Sequence, residues 1–299
     1  MKKVFALFPF VMFFSLSFAA GAGEWKAVYA KTVFANPETG EIRQAIFVDE
    51  KGSTTQLTSD AEYNTLPSWS PAGNEIVFAG PEGIGIMNAD GTNRRALGII
   101  GRFPTMSRTH VVYEAPKVDN TFVWAAPIDG SSPPLALTMG GEPDVSFDGT
   151  KVSITNAEAG AGTTFINIDG TGERWVADGE EPKFLPDGRI VVLRDKAQAE
   201  LWGVDPETGE DHFLAMGREH SVSNDGWIVY AKILGPRGWY AIRPDGTEDH
   251  LIDPDLKKGG FQVYGDLTPN TGGDPAEEPR AVLPQGKLTT QWARLKVGE

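Results

Sequence analysis

One two-residue signal, Asp-Gly or its equivalent, returns at a fixed interval and limits what this chain can fold into. The glycines of Lys51-Gly52, Asp90-Gly91, Asp129-Gly130, Asp169-Gly170, Thr208-Gly209 and Asp245-Gly246 lie 39, 39, 40, 39 and 37 residues apart. A second series runs between them at Ala72-Gly73, Asp148-Gly149, Asp187-Gly188 and Asp225-Gly226, with spacings of 76, 39 and 38. Its missing member falls near Arg108-Thr109, where the turn has degenerated. Short apolar runs with strand-like alternation flank each signal, which is the sequence form of a β-hairpin. Each period therefore supplies four short strands, the size of one propeller blade. A β-sandwich would not repeat so regularly.

The expectation is an all-β, six-bladed propeller. Five blades run from about Leu66 to Leu97, Phe103 to Thr138, Pro143 to Val176, Pro182 to Ala215 and Glu219 to Ile252. Three strands within 26–58 and one within 261–267 are left over. Together they make a sixth blade, closing the ring with strands from both termini and removing open sheet edges.

The chain has 299 residues, no cysteine, 35 glycines, 21 prolines and a formal charge of −14. Without cysteine it uses neither disulfides nor thiolate chemistry. Lys2 and Lys3 precede an apolar run from Val4 to Phe18, followed by small-x-small cleavage patterns at Ser17-Phe-Ala19 and Ala20-Gly-Ala22. Residues 1–22 read as a signal peptide. Residues 23–267 read as the propeller, and 268–299 as a Pro/Gly-rich linker with a C-terminal segment around Trp292. The expected address is the periplasm or the exterior, with no transmembrane segment in the mature chain and a monomeric state. A chain this acidic repels phosphate backbones, which argues against nucleic acid as a partner.

The best-preserved copy reads Trp69-Ser-Pro-Ala-Gly-Asn-Glu-Ile-Val-Phe, then Ile86-Met-Asn-Ala-Asp-Gly-Thr-Asn-Arg-Arg. It resembles the repeat of TolB-type β-propellers over about residues 26–267. Leu185-Pro-Asp-Gly-Arg-Ile-Val-Val keeps the first half, and Phe165-Ile-Asn-Ile-Asp-Gly-Thr-Gly-Glu-Arg the second. The resemblance implies a periplasmic propeller that binds partner proteins, chiefly through its channel face. The N-terminal α/β domain of TolB itself has no counterpart, because the blades begin directly after the leader.

Most motif residues read as scaffold. Asp-Gly supplies the positive φ of a tight turn rather than a calcium loop. Trp69 and its equivalents Val145, Phe184 and Val222 are expected between blades. His110, His212 and His250 fall on or beside a middle strand and two outer strands, and only His220 reaches an inner strand, so no zinc or manganese spacing arises. No Gly-x-Ser-x-Gly elbow is present. Aligning blades on Pro67, Pro104, Pro143 and Pro182 gives the residue at the channel mouth as Leu66, Phe103, Glu142 and Glu181. Glu219, beside His220, follows in the fifth blade and Phe261 in the sixth. Asp144, Lys183 and Ser221 lie two residues deeper. The candidate site is thus a mouth acidic on one arc and apolar on the other. It suits a basic and apolar peptide segment of an envelope protein, bound without catalysis. The alternative is a propeller lyase, lactonase or hydrolase whose carboxylates hold a divalent cation such as calcium.

Overall fold

The computed structural model describes residues 25–267, apart from 37, 51–52, 60–62, 118–119, 157–161, 196–197, 256 and 266. The leader and the C-terminal segment lie outside the described residues. Every described element is a strand or a turn, and the strands form six four-stranded antiparallel sheets arranged in a ring. Blades 1 to 5 follow one another along the chain. Their inner strands are Thr65–Trp69, Arg102–Met106, Gly141–Val145, Glu180–Phe184 and Arg218–Val222.

The closing blade takes its inner strand, Gly259–Gly265, from the far end of the sequence. Its other strands are Trp25–Asn36, Glu41–Glu50 and Ser53–Gln56. Ala27 faces Val263 and Val28 faces Gln262 across the join.

The periodic aspartates act in the turns. The Asp90 carboxylate accepts the Thr92 hydroxyl at 2.6 Å and the Thr92 N–H at 2.9 Å, while Gly91 takes φ +83°. Asp169 with Thr171 and Asp245 with Thr247 repeat the arrangement. These hydrogen bonds, the threonine hydroxyl's first, hold the Asp90 and Asp169 carboxyls below the usual range. Their lone pairs are spent on the backbone of the next residues.

Each blade is buried on both faces, so its middle strands read as unbroken apolar runs. In the second strand of blade 1, Ile76 and Phe78 pack with Val28 and Ile46 of the closing blade, alongside Trp69. Val77 between them faces Val111 and Tyr113 of blade 2. Clusters of this kind occupy the other four seams as well. Trp69, Val145 and Phe184 are buried at seams, as their repeat position requires.

A charge cluster reinforces the closure. The Lys258 ammonium, directly before the last strand, lies 2.5 Å from both Asp49 of the closing blade and Asp253 of blade 5. Asp49 also accepts the Tyr29 hydroxyl at 3.0 Å. Burial pulls the Lys258 pKa down, but the two carboxylates outweigh it and the group ends above its ordinary value. Its contribution is therefore complete below the unfolded-state pKa and is lost only as pH rises past it. Lys258→Met leaves two carboxylates buried without their cation. We expect a loss of about 3–5 kcal/mol in urea unfolding at pH 7, with Lys31→Met, whose pair with Asp255 is partly exposed, costing under about 1 kcal/mol.

Candidate functional site

Every inner strand starts with the same irregularity. In blades 1 to 5 its register against the second strand slips by one residue, between Thr65 and Ser68 in blade 1 and at equivalent places elsewhere. The residue at the slip is left-handed: Leu66 (φ 50°), Phe103 (49°), Glu142 (51°), Glu181 (52°) and Glu219 (50°). A non-glycine residue there costs on the order of 1 kcal/mol. In blades 2 to 5 a glycine two places earlier lets the inner strand pass close to its neighbour. At Gly140 an added Cβ would sit 2.5 Å from the Thr155 carbonyl oxygen, and at Gly217 2.1 Å from the Tyr230 ring.

The closing blade corrects one expected position. The mouth residue is Gly260, with φ +61°, and not Phe261. Phe261 is equivalent to Pro67 and His220, and it is buried in the seam against Tyr29 and Trp239. With no proline in this strand, the sequence carries no mark to set the alignment, and a one-residue slip exchanges a buried position for a mouth position.

The six mouth residues surround a funnel of about 350 Å³ at one end of the channel. Leu66 and Phe103 form an apolar arc on blades 1 and 2; Glu142, Glu181 and Glu219 form an acidic arc on blades 3 to 5. Phe34 and Ile42, on the long hairpin of the closing blade, and Ile100, leading into blade 2, add exposed apolar surface at this end. Neighbouring blades are linked here: the Glu181 N–H donates to the Thr155 hydroxyl at 2.9 Å, which donates to the Glu142 carboxylate at 3.1 Å. Glu219 keeps exposed surface, yet desolvation of its carboxyl raises its pKa, with the Gly260 amide opposing. Among the described residues no three His, Asp or Glu side chains come together as a metal ion would require.

Below the mouth the channel has a waist of six polar side chains, one per blade: Ser68, Thr105, Asp144, Lys183, Ser221 and Gln262. Beyond it a second, smaller opening of about 80 Å³ is lined also by Ser70, Pro71, Ser146, Phe147 and Asn224. Sequence reasoning reached the three of these on the acidic blades. It missed Ser68, Thr105 and Gln262, which the same count of two residues beyond the mouth position would have found.

Asp144 Oδ2 accepts the Phe184 N–H at 2.8 Å, and Oδ1 lies 3.4 Å from the Thr105 hydroxyl. Desolvation pushes its carboxyl above the usual range, against the pull of the Lys183 ammonium; the residue keeps surface on the lumen, so water softens the effect. Lys183 makes no hydrogen bond or ion pair within reach of any described residue, although its charge is felt by Asp144 and His220.

His220 lines the funnel and is 5% exposed, with neither ring nitrogen in a hydrogen bond of good geometry. Its ring lies near backbone groups of Glu181 and Val191, but burial first, and Lys183 second, push its pKa down to about 3. Ser221 donates to the Phe261 carbonyl oxygen at 3.0 Å. The other histidines lie elsewhere: His212 Nε2 is 2.7 Å from the Pro244 carbonyl oxygen, and His250 packs edge-on against Trp227.

No protein-family model matches this sequence, and no curated protein matches it. Solved structures do match the fold. TolB from Acinetobacter baumannii aligns with TM-score 0.64 and 16% identity, over 80% of this chain and 66% of that one. A puromycin-hydrolysing peptidase of Mycobacterium tuberculosis gives 0.52 and 15%, over 75% and 45%. A chain of the nidogen/laminin complex gives 0.57 and 10%, over 82% and 99%. The chain thus spans about two thirds of the TolB structure and under half of the peptidase. The architecture is that of a TolB-like propeller, and the variety of these matches leaves activity to be argued from the site.

Two outcomes follow from the site's geometry. His220 has a folded-state pKa near 3 against an ordinary 6.5, so the unfolded chain binds its proton more readily. Stability is complete above pH 6.5 and falls as pH drops towards 3, by about 1.4 kcal/mol per unit at most. Asp144 and Glu219, whose pKa values are raised, act in the opposite direction. The difference between the native protein and His220→Gln, by urea unfolding at pH 7.0, 5.5 and 4.5, isolates the histidine: the variant should lack its share of the acid loss. Second, Glu219→Gly removes a charge and relieves a left-handed residue, so stability should hold or rise. Glu219→Val places a β-branched residue at φ 50° and should cost about 1 kcal/mol or more by the same measurement.

Proposed function

We propose that this protein is an exported, non-catalytic propeller that holds a segment of a partner protein in its channel mouth. The observation that carries the reading is the divided rim: three successive blades offer Glu142, Glu181 and Glu219, and the facing blades offer Leu66 and Phe103 around one funnel. A chain bearing basic and apolar side chains matches both arcs at once. Export to the periplasm or beyond rests on the leader-like pattern of residues 1–22, and the likeness to TolB favours an envelope partner. The protein acts as a monomer in this reading, and its charge of −14 makes nucleic acid a poor ligand.

The site's chemistry supports binding over catalysis. Ser221 is hydrogen-bonded to a carbonyl oxygen and His220 does not approach it as a base, so the pair lacks the arrangement of an activated nucleophile. The cation-dependent alternative would need several ligands on one point, and the acidic residues of the rim are set apart by blade.

The triple variant Glu142→Gln, Glu181→Gln, Glu219→Gln tests the reading. A pool of N-acetylated pentapeptides, randomised at every position, is passed over the full chain and the retained peptides are identified by mass. The native protein should enrich Lys, Arg and apolar residues. The variant should retain the basic peptides about tenfold less well, consistent with two or three exposed ion pairs of about 0.5–1 kcal/mol each. Equal retention and composition for both proteins would exclude this role for the rim.

A further inference from the structure

The long hairpin of the closing blade carries a strand edge that stands over the mouth. Its first strand pairs with the inner strand only as far as Ala30, opposite Gly259. It then runs on to Asn36, paired on its outer side with the second strand as far as Glu41. Residues 31–36 therefore rise past the mouth, by about 20 Å at the rise of a β-strand. The edge that the inner strand fills lower down here faces the channel axis. The loop before the inner strand reaches the foot of this edge, where the Lys31 ammonium lies 3.0 Å from Asp255. Above it, among the described residues, no strand pairs with Thr32–Asn36 on that side.

Thr32-Val-Phe-Ala-Asn36 is uncharged, free of proline and rich in residues that favour strands. A bulge at Val33 is its one irregularity. An edge of this composition is a template for another strand. The ground beneath it is clear as well. Gly260 is the one mouth residue without a side chain. It stands between Glu219, whose carboxylate accepts its amide, and Leu66, whose Cα lies 3.8 Å from the place of a Gly260 Cβ.

We propose that the partner segment binds as an added β-strand on the inner edge of Thr32–Asn36 and continues over Gly260 into the funnel. The proposal rests on the mouth being a peptide site, and it specifies the conformation of the peptide and what holds its main chain. Backbone hydrogen bonds to the edge supply affinity that any sequence can use, while the rim selects side chains. Phe34 on one face of the hairpin and Ile42, opposite Ala35, on the other flank the added strand with exposed apolar surface. The occupant is a basic segment and not a second copy of this chain. Pairing two hairpins edge to edge would bring two acidic mouths together in molecules of charge −14. Lys or Arg in an extended segment instead meets Glu219 at the foot of the edge.

The experiment uses N-acetylated decapeptides, randomised at every position and long enough to span the edge and enter the funnel. Peptides retained by the full chain are pooled, and amide hydrogen exchange of the protein is followed with and without them. The amides of Thr32–Asn36 that face the axis should exchange about tenfold more slowly with peptide bound, while the turn amides of Thr92 and Thr171 stay unchanged. In a second protein Val33–Arg43 is replaced by Asn-Gly, which joins Thr32 to Gln44 through a two-residue turn and keeps the strands that close the ring. It should retain the pool about tenfold less well, and its melting temperature reports that it folds. Lys and Arg should stay enriched in what it retains, because the rim is intact. No slowing at Thr32–Asn36 would overturn the added strand and leave the rim reading intact if basic peptides are still enriched. Undiminished retention by the shortened hairpin would overturn it too. Slowing at the hairpin without peptide, together with a dimer in sedimentation, would give the edge to a second copy and overturn the proposal. Retention of no peptide by either protein would overturn both readings.

Discussion

Pairing between the two ends of the sequence converts six small sheets into a ring, and everything else depends on it. A four-stranded blade alone would expose both of its apolar faces. It becomes stable only when neighbours cover both, and the first and last neighbours meet only through Gly259–Gly265 against Trp25–Asn36. Bringing ends more than 200 residues apart together costs on the order of 5 kcal/mol of chain entropy. The joining seam is built to offset it. Trp227, Trp239, Tyr29 and Phe261 are among the largest fully buried side chains and share one cluster. The Trp239 and Phe261 rings stack at 4.9 Å. Lys258 fastens this seam with its two carboxylates. In a chain without cysteine, aromatic burial and a buried ion cluster do the work a disulfide would do elsewhere.

The closed ring then dictates the mouth. Six inner strands must approach the axis and turn along it, and each does so through a slipped residue in the left-handed region. Repetition of nearly the same φ in Leu66, Phe103, Glu142, Glu181 and Glu219 marks the bend as part of the scaffold rather than as strain peculiar to one site. Its consequence is functional. The side chain at the bend faces the lumen and carries little of the core, so its chemistry can vary from blade to blade at constant backbone. Two apolar residues, three acids and a glycine have collected there, and the polar waist lies one period of two deeper.

The fold was legible because its signals are local and repeated. Asp90-Gly91-Thr92 encodes a turn by itself, and the regular return of such turns gives blade size and number. The divided mouth was legible for the same reason, since Pro104, Pro143 and Pro182 each follow a mouth residue. Blade 5, where His220 follows Glu219, was placed without that mark, but in the closing blade the reading slipped: Gly260 was mistaken for its neighbour Phe261. The pairing of Lys258 with Asp49 and Asp253 was not legible at all. Asp49 reaches Lys258 only through the closure, and nothing in their spacing records it. Nor does the sequence tell that His220 lacks partners, since a buried histidine and a hydrogen-bonded one are spelled alike. Four glycine positions carried an unread signal. Gly101, Gly140, Gly179 and Gly217 each stand two places before a mouth residue, where the strand passes too close to its neighbour for a Cβ.

The charges along the channel axis form an ordered sequence. Carboxylates stand at the rim, and the single lysine lining the two cavities stands at the waist beneath them. Three rim glutamates on adjacent blades repel one another, although the Glu142 carboxylate accepts the Thr155 hydroxyl and that of Glu219 the Gly260 amide. The bend itself does not require acid at these positions, because Leu66 and Phe103 occupy the same conformation. A low-dielectric funnel also concentrates the field of its charges, so the acidic rim attracts cations from solution, while Lys183 and Asp144 oppose each other at the waist. The first and last described strands begin and end together, Trp25 opposite Gly265, on the face away from the funnel.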